Sequence, residues 1–155
     1  MKREETIQAI NDKLREMSTE TIMFHQVIAD VLGLHITDHK CLDIIYRFGA
    51  MPAGRLAELT GLTTGAVTGI IDRLEEAGYV KRANDPKDRR RTIIEPTRNK
   101  KLERKLEVIF APLGERMNKL MSSYSDSELA FLLHATSEFL EQTREESKKL
   151  RSLRK

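Results

Sequence analysis

Ala53 to Thr97 reads AGRLAELTGLTTGAVTGIIDRLEEAGYVKRANDPKDRRRTIIEPT, and its punctuation decides the fold. Leu56, Ala57 and Leu59 give a short amphipathic helix over about 53–59. Gly61 follows it, where a residue without Cβ takes a positive φ at no steric cost. Thr63 or Thr64 then caps a second helix that runs to about Ala77, and Gly78 stands where a left-handed cap closes it. Two helices joined by so short a turn form a helix-turn-helix, whose second helix suits a DNA major groove. A hairpin pattern comes next: Tyr79 to Arg82, a turn-rich tip at Asn84 to Asp88, then Arg90 to Ile94. Lys87, Arg89, Arg90 and Arg91 crowd that tip, too polar to bury and suited to phosphates. The stretch is a winged helix-turn-helix, and double-stranded DNA is the partner it implies.

Outward from this module the periodicity is helical. Ile7, Ile10, Leu14, Met17, Phe24, Ile28 and Leu32 recur at helical spacings and predict one long first helix. Thr37 is the expected cap of a helix over about Asp38 to Phe48, with Leu42, Ile45 and Phe48 as its stripe. After the wing, Leu102, Leu106, Ile109, Leu113, Met117 and Leu120 mark a fifth helix, bent at Pro112. Ser125 and Glu128 predict a capping box that opens a sixth, apolar at Leu129, Leu132, Leu133, Phe139, Leu140 and Leu150. The expected architecture is mostly α: six helices with a two-stranded β-wing. Residues 1–34 and 98–155 are dimerisation helices, and 35–97 is the DNA-binding module, with the helix-turn-helix at about 53–77 and the wing at about 79–97. One three-helix layer buries only part of these apolar faces, and a second copy of the chain buries the rest.

Length and composition agree with this reading. A chain of 155 residues is one protomer with room for a core. Charged residues make up 33% of it, yet the net charge is +3, so the basic excess is local. Lys81, Arg82, Lys87, Arg89, Arg90 and Arg91 face only Asp85 and Asp88 in the wing, which is how a polyanion footprint is written. A single cysteine, Cys41, excludes an intramolecular disulfide and fits a reducing cytoplasm. The N-terminus lacks the apolar run of a signal peptide, and no stretch approaches a membrane span, so no membrane is expected.

The segment resembles the MarR family of bacterial transcription regulators. The likeness is carried by LAELTGLTTGAVTGIIDRLEEAGYVKR at Leu56 to Arg82 and by DPKDRR at Asp85 to Arg90, closing with Thr97. Two departures stand out: Gly69, where the family often carries a longer polar side chain, and Pro96, where Leu usually precedes the closing Thr. The resemblance implies a homodimer built from the terminal helices, set on a palindromic operator with half-sites about one DNA turn apart. It also implies that Arg90 enters the minor groove, with Asp88 orienting it or bracing the turn. Finally it implies a small aromatic or phenolic effector between the dimerisation helices and the DNA-binding module, near Phe24, His35 and His39.

The exposed face of the recognition helix is unusual. Thr63, Thr64, Gly65, Thr68 and Gly69 are all small, and no Arg, Asn or Gln precedes Arg73. Such side chains carry the strongest base readout, so direct readout is expected to be modest, with phosphate contacts and DNA shape supplying the rest. Asp72 is a candidate for a structural pair with a nearby basic residue and Arg73 for a DNA contact; Arg89 and Arg91 alternate with Arg90 and point to the other face of the strand.

No Gly-rich phosphate loop, HExxH pattern or Ser/His/Asp arrangement is present, so neither an enzyme nor a cofactor is expected. His35, His39 and Cys41 lie close in sequence, but a Cys/His cluster this small does not make a metal site, and Cys41 reads as a small buried hydrophobe. The favoured function is a ligand-responsive repressor. A redox- or metal-responsive regulator of the same fold, or a winged helix that binds protein, are the alternatives.

Overall fold

The computed structural model describes residues 2–88, 91–97 and 99–153, with main chain only at Lys101. Among them lie six helices and one two-stranded sheet, α1 (Arg3–Leu32), α2 (Ile36–Phe48), α3 (Ala53–Thr60), α4 (Thr64–Glu76), β1 (Val80–Asn84), β2 (Thr92–Pro96), α5 (Lys100–Met121) and α6 (Asp126–Ser152). The chain divides into two compact units, residues 1–99 and 100–155.

In the first unit a single core gathers Cys41, Leu42 and Ile45 of α2, Leu56 of α3, Val67, Ile70, Ile71 and Leu74 of α4, and Val80 and Ile94 of the wing. These are the apolar positions that helical periodicity places on the inward face. α1 joins through its last turns, where Ile28, Ala29 and Leu32 are buried. The Tyr79 hydroxyl donates to the Leu32 carbonyl at 2.9 Å and ties the end of α1 to the start of the wing.

The expected caps form. Gly61 closes α3 at φ 69° and Gly78 follows α4 at φ 75°, both in the left-handed region that favours glycine. The Thr63 hydroxyl accepts from the Ala66 amide at 3.2 Å. Ser125 and Glu128 make the reciprocal capping box at the start of α6.

Three expectations need correction. α2 begins at Ile36 with His35 at its N-cap position, so Thr37 lies within the first turn and caps nothing. Phe48 is 60% exposed rather than core, with the Arg47 guanidinium 4.9 Å over its ring. The returning strand begins at Thr92, not Arg90. The cause is local: Arg91 donates to the Asp88 carbonyl, and its own carbonyl accepts from the Asp85 amide. Arg91 therefore closes the turn instead of starting the ladder. Pro96, which has no N–H to donate, sits at the end of β2 opposite Val80, where that lack is tolerated. Thr97 then locks the hairpin base, its hydroxyl donating to the Gly78 carbonyl at 2.6 Å.

In the second unit α5 runs through Pro112 without interruption. No described residue of α6 is buried; Phe131, Leu133, Phe139 and Leu140 are all exposed. No helix among the described residues is long and apolar enough to cross a membrane.

Candidate nucleic-acid interface

α4 presents a face without bulk. Thr64, Gly65 and Thr68 are exposed, while Val67, Ile70, Ile71 and Leu74 on its other side are core. The Thr68 hydroxyl donates to the Thr64 carbonyl at 2.9 Å, so its proton is held by its own helix. A Cβ built at Gly65 meets nothing within 4 Å. Glycine inside a helix is less favourable than alanine by about 1 kcal/mol. Packing within the protomer gives no reason for this residue.

Arg73 sits farther along α4 and grips α2. Its Nε and Nη2 donate to the two carboxylate oxygens of Asp38 at 2.8 and 2.7 Å. Asp38 lies in the first turn of α2 and is 2% exposed. A buried carboxylate is stable only with such a partner, and this one also lies where the α2 dipole favours negative charge. Arg73, grouped by the sequence with the DNA-contacting residues, thus has a structural bond as well.

The wing is fastened to the same helix. Arg82 on β1 pairs with Asp72 and Glu75 of α4, and its amide donates to Glu75 at 2.9 Å. That amide bond first, and the Arg82 guanidinium with it, hold the Glu75 carboxyl below its ordinary range. Lys81 pairs with Glu95 across the hairpin at 2.9 Å. Two of the six cations attributed to the footprint are therefore matched inside the protomer, and the basic character contracts to the tip. There Lys87 and Arg91 are exposed, and the Asp85 carboxylate accepts from the Lys87 amide at 2.9 Å to shape the turn. Asp88 braces that turn through its main chain. Arg89 and Arg90 lie outside the described residues.

The three residues expected near an effector lie on α1 and at the start of α2. Phe24 is 38% exposed and stands edge-on to His25, with centroids 5.9 Å apart. His35 is exposed at the start of α2, whereas His39 is 2% exposed and turned toward His25, with Nδ1 of His25 3.1 Å from Nε2 of His39. Burial lowers the pKa of both His25 and His39. A groove of about 300 Å³ opens elsewhere on α2, lined by Ile36, Thr37, Lys40, Cys41, Ile44, Thr60 and Leu62. None of the three lines it. Cys41 is fully buried, and burial pushes its thiol up to about 11, which suits a packing residue and not a reactive thiolate. Asp38 and His25 were not singled out in the sequence, because burial and a cross-helix partner leave no local signature.

The MarR family model matches residues 34–92. The uncharacterized HTH-type transcriptional regulator YcgE of Bacillus subtilis (strain 168) is 46% identical over 119 residues, covering 76% of this chain and 75% of its own. The solved transcriptional regulator Tm0710 of Thermotoga maritima is 26% identical, with a TM-score of 0.60 over 89% of this chain and 96% of that one. Streptococcus pneumoniae FabT, solved in complex with DNA, shares the fold at a TM-score of 0.68 and 19% identity, covering 90% of this chain and 98% of its own.

Proposed function

The chain belongs to the MarR family of transcriptional regulators, and from that premise we propose that it is a ligand-responsive repressor, binding a palindromic operator as a homodimer in the cytoplasm. The observation that carries the DNA-binding part is the exposed, glycine-bearing face of α4 beside a wing whose cations concentrate at the tip. A helix meant only for packing gains by replacing Gly65 with alanine. A helix that must lie close to a base edge or phosphate gains by keeping it. Thr63, Thr64, Gly65 and Thr68 enter the major groove in this reading, while Arg89, Arg90 and Arg91 reach the minor groove and the backbone. FabT, which was solved in complex with DNA, shares this fold, and that likeness supports DNA binding.

The dimer is supported by the exposed apolar faces of α1 and α6, which water leaves unsatisfied and a second copy would cover. The effector is proposed as a small aromatic or phenolic molecule. It can act only by binding the DNA-free and DNA-bound shapes with different affinity.

Selection of genomic fragments by the full-length protein tests the whole reading. The expected result is enrichment of an inverted repeat, with complexes that dissolve when a phenolic ligand is added. Binding of fragments without sequence preference, or no binding, overturns it.

A further inference from the structure

The recognition face carries one group able to discriminate bases strongly, and its aim is set from another helix. Two of the three guanidinium nitrogens of Arg73 are held by Asp38, and the third, Nη1, lies toward Gly69: a Cβ built there would stand 3.6 Å from it. Helical side chains lean toward the N-terminus, so Arg73 reaches back one turn over position 69. Glycine at that position leaves the surface above it to the guanidinium. The Arg73 side chain is 50% exposed while Asp38 is 2% exposed, so the anchor is fixed and the anchored group faces outward.

We propose that Arg73 reads a base edge through Nη1, and that buried Asp38 is the positioning residue that aims it. This inference rests on the DNA-binding reading above. Thr64, Gly65 and Thr68 bring no guanidinium or amide to the same face, and the Thr68 proton is already used. The ion pair matters for the choice of target. A guanidinium matched to a carboxylate has little net charge left to attract a phosphate, yet its remaining N–H bonds keep a fixed direction. Directed donors without net charge suit the O6 and N7 acceptors of guanine in the major groove.

The test is selection from a pool of random duplexes with the full-length protein, repeated with Asp38→Asn, Arg73→Lys and Gly69→Leu. Gly69→Leu gains helix propensity and covers the space held by Nη1, so a lost preference there cannot come from unfolding if its thermal midpoint is undiminished. The wild type is expected to prefer guanine at one position in each half-site. All three variants should lose that preference, with affinity for the selected operator falling about 5- to 30-fold and affinity for a scrambled duplex nearly unchanged. Preference retained in Gly69→Leu and Arg73→Lys overturns the inference. So does an equal loss on operator and scrambled duplex with a shallower salt dependence, which is the mark of a phosphate contact. A wild type that enriches no sequence overturns the DNA reading itself and this inference with it.

Discussion

Nδ1 of His25 and Nε2 of His39 lie 3.1 Å apart and join α1 to the first turns of α2. Only one of the two nitrogens can carry the shared proton. Nδ1 of His39 is buried without a hydrogen-bond partner among the described residues. A proton there would be a buried donor with no acceptor, which costs about 1–3 kcal/mol. Without that proton the same nitrogen is a buried acceptor with no donor, so either tautomer of the pair leaves His39 one ring nitrogen unsatisfied. Adding a second proton to the pair sets two N–H groups against each other, and burial, which lowers both pKa values, acts in the same direction.

The pH dependence follows from that sign. Both histidines have folded-state pKa values below the unfolded value of about 6.5, so between those values the unfolded chain binds more protons. Stability from the pair is complete above about pH 7 and declines as the pH falls through 6.5 toward the folded values. Urea midpoints at pH 7.5 and 5.5 should differ in that direction, and His39→Met should remove most of the difference. Equal slopes in wild type and variant would sink the idea.

Gly65→Ala separates folding from recognition. Nothing lies within 4 Å of the added Cβ, so the variant should be more stable by about 0.5–1 kcal/mol. Its operator affinity should fall, since the methyl group stands on the face proposed to meet DNA. Thermal melts and gel shifts of the same preparation check both halves. A stabilised variant that binds as tightly as wild type would show that position 65 does not approach DNA.

Cys41 should behave as core. With its thiol at about 11 and no exposure, a thiol reagent at pH 8 should leave the folded protein unmodified and react fully after denaturation. Mild peroxide should not release DNA. Rapid modification of the native protein accompanied by loss of binding would restore the redox-responsive alternative.

The oligomer is open to a direct measurement. Sedimentation at micromolar concentration should report twice 17.8 kDa, because Ile7, Ile10, Phe139 and Leu140 are all more than 40% exposed in the single chain. Removing residues 126–155 should abolish operator binding although the winged module is intact. A monomer that binds a palindrome tightly contradicts the proposed assembly.

Arg90 is the wing residue expected to enter the minor groove. Arg90→Ala removes the contact twice in a symmetric dimer. At about 1–3 kcal/mol each, the loss is about one and a half to four decades of affinity. Arg91→Ala, at the exposed turn, should cost less and appear mainly as a shallower salt slope, by about one unit per phosphate contact. Wild-type affinity in Arg90→Ala at moderate salt would leave the wing a structural hairpin.

What the sequence determined alone was whatever depends on neighbours along the chain. Gly61 and Gly78, the Thr63 cap, the Ser125–Glu128 box and the inward stripe of α4 all follow from conformational preference and helical spacing, and each is found where it was expected. The wing was legible in outline, but its return strand was placed two residues early. The main-chain bonds of Arg91 within the tip outweigh the alternation that suggested a strand there.

Only the tertiary structure decided which charges are matched. Arg73 and Asp38 are 35 residues apart, and Arg82 meets Asp72 and Glu75 across a turn. Nothing in a linear charge count reveals that Lys81 and Arg82 are neutralised while Lys87 and Arg91 stay exposed. Long-range pairs depend on how helices pack, and electrostatic attraction in water is too weak and too short in reach to be read from spacing. The same holds for His25 and His39: each is an ordinary polar residue on its own helix, and burial against the other turns them into a pair.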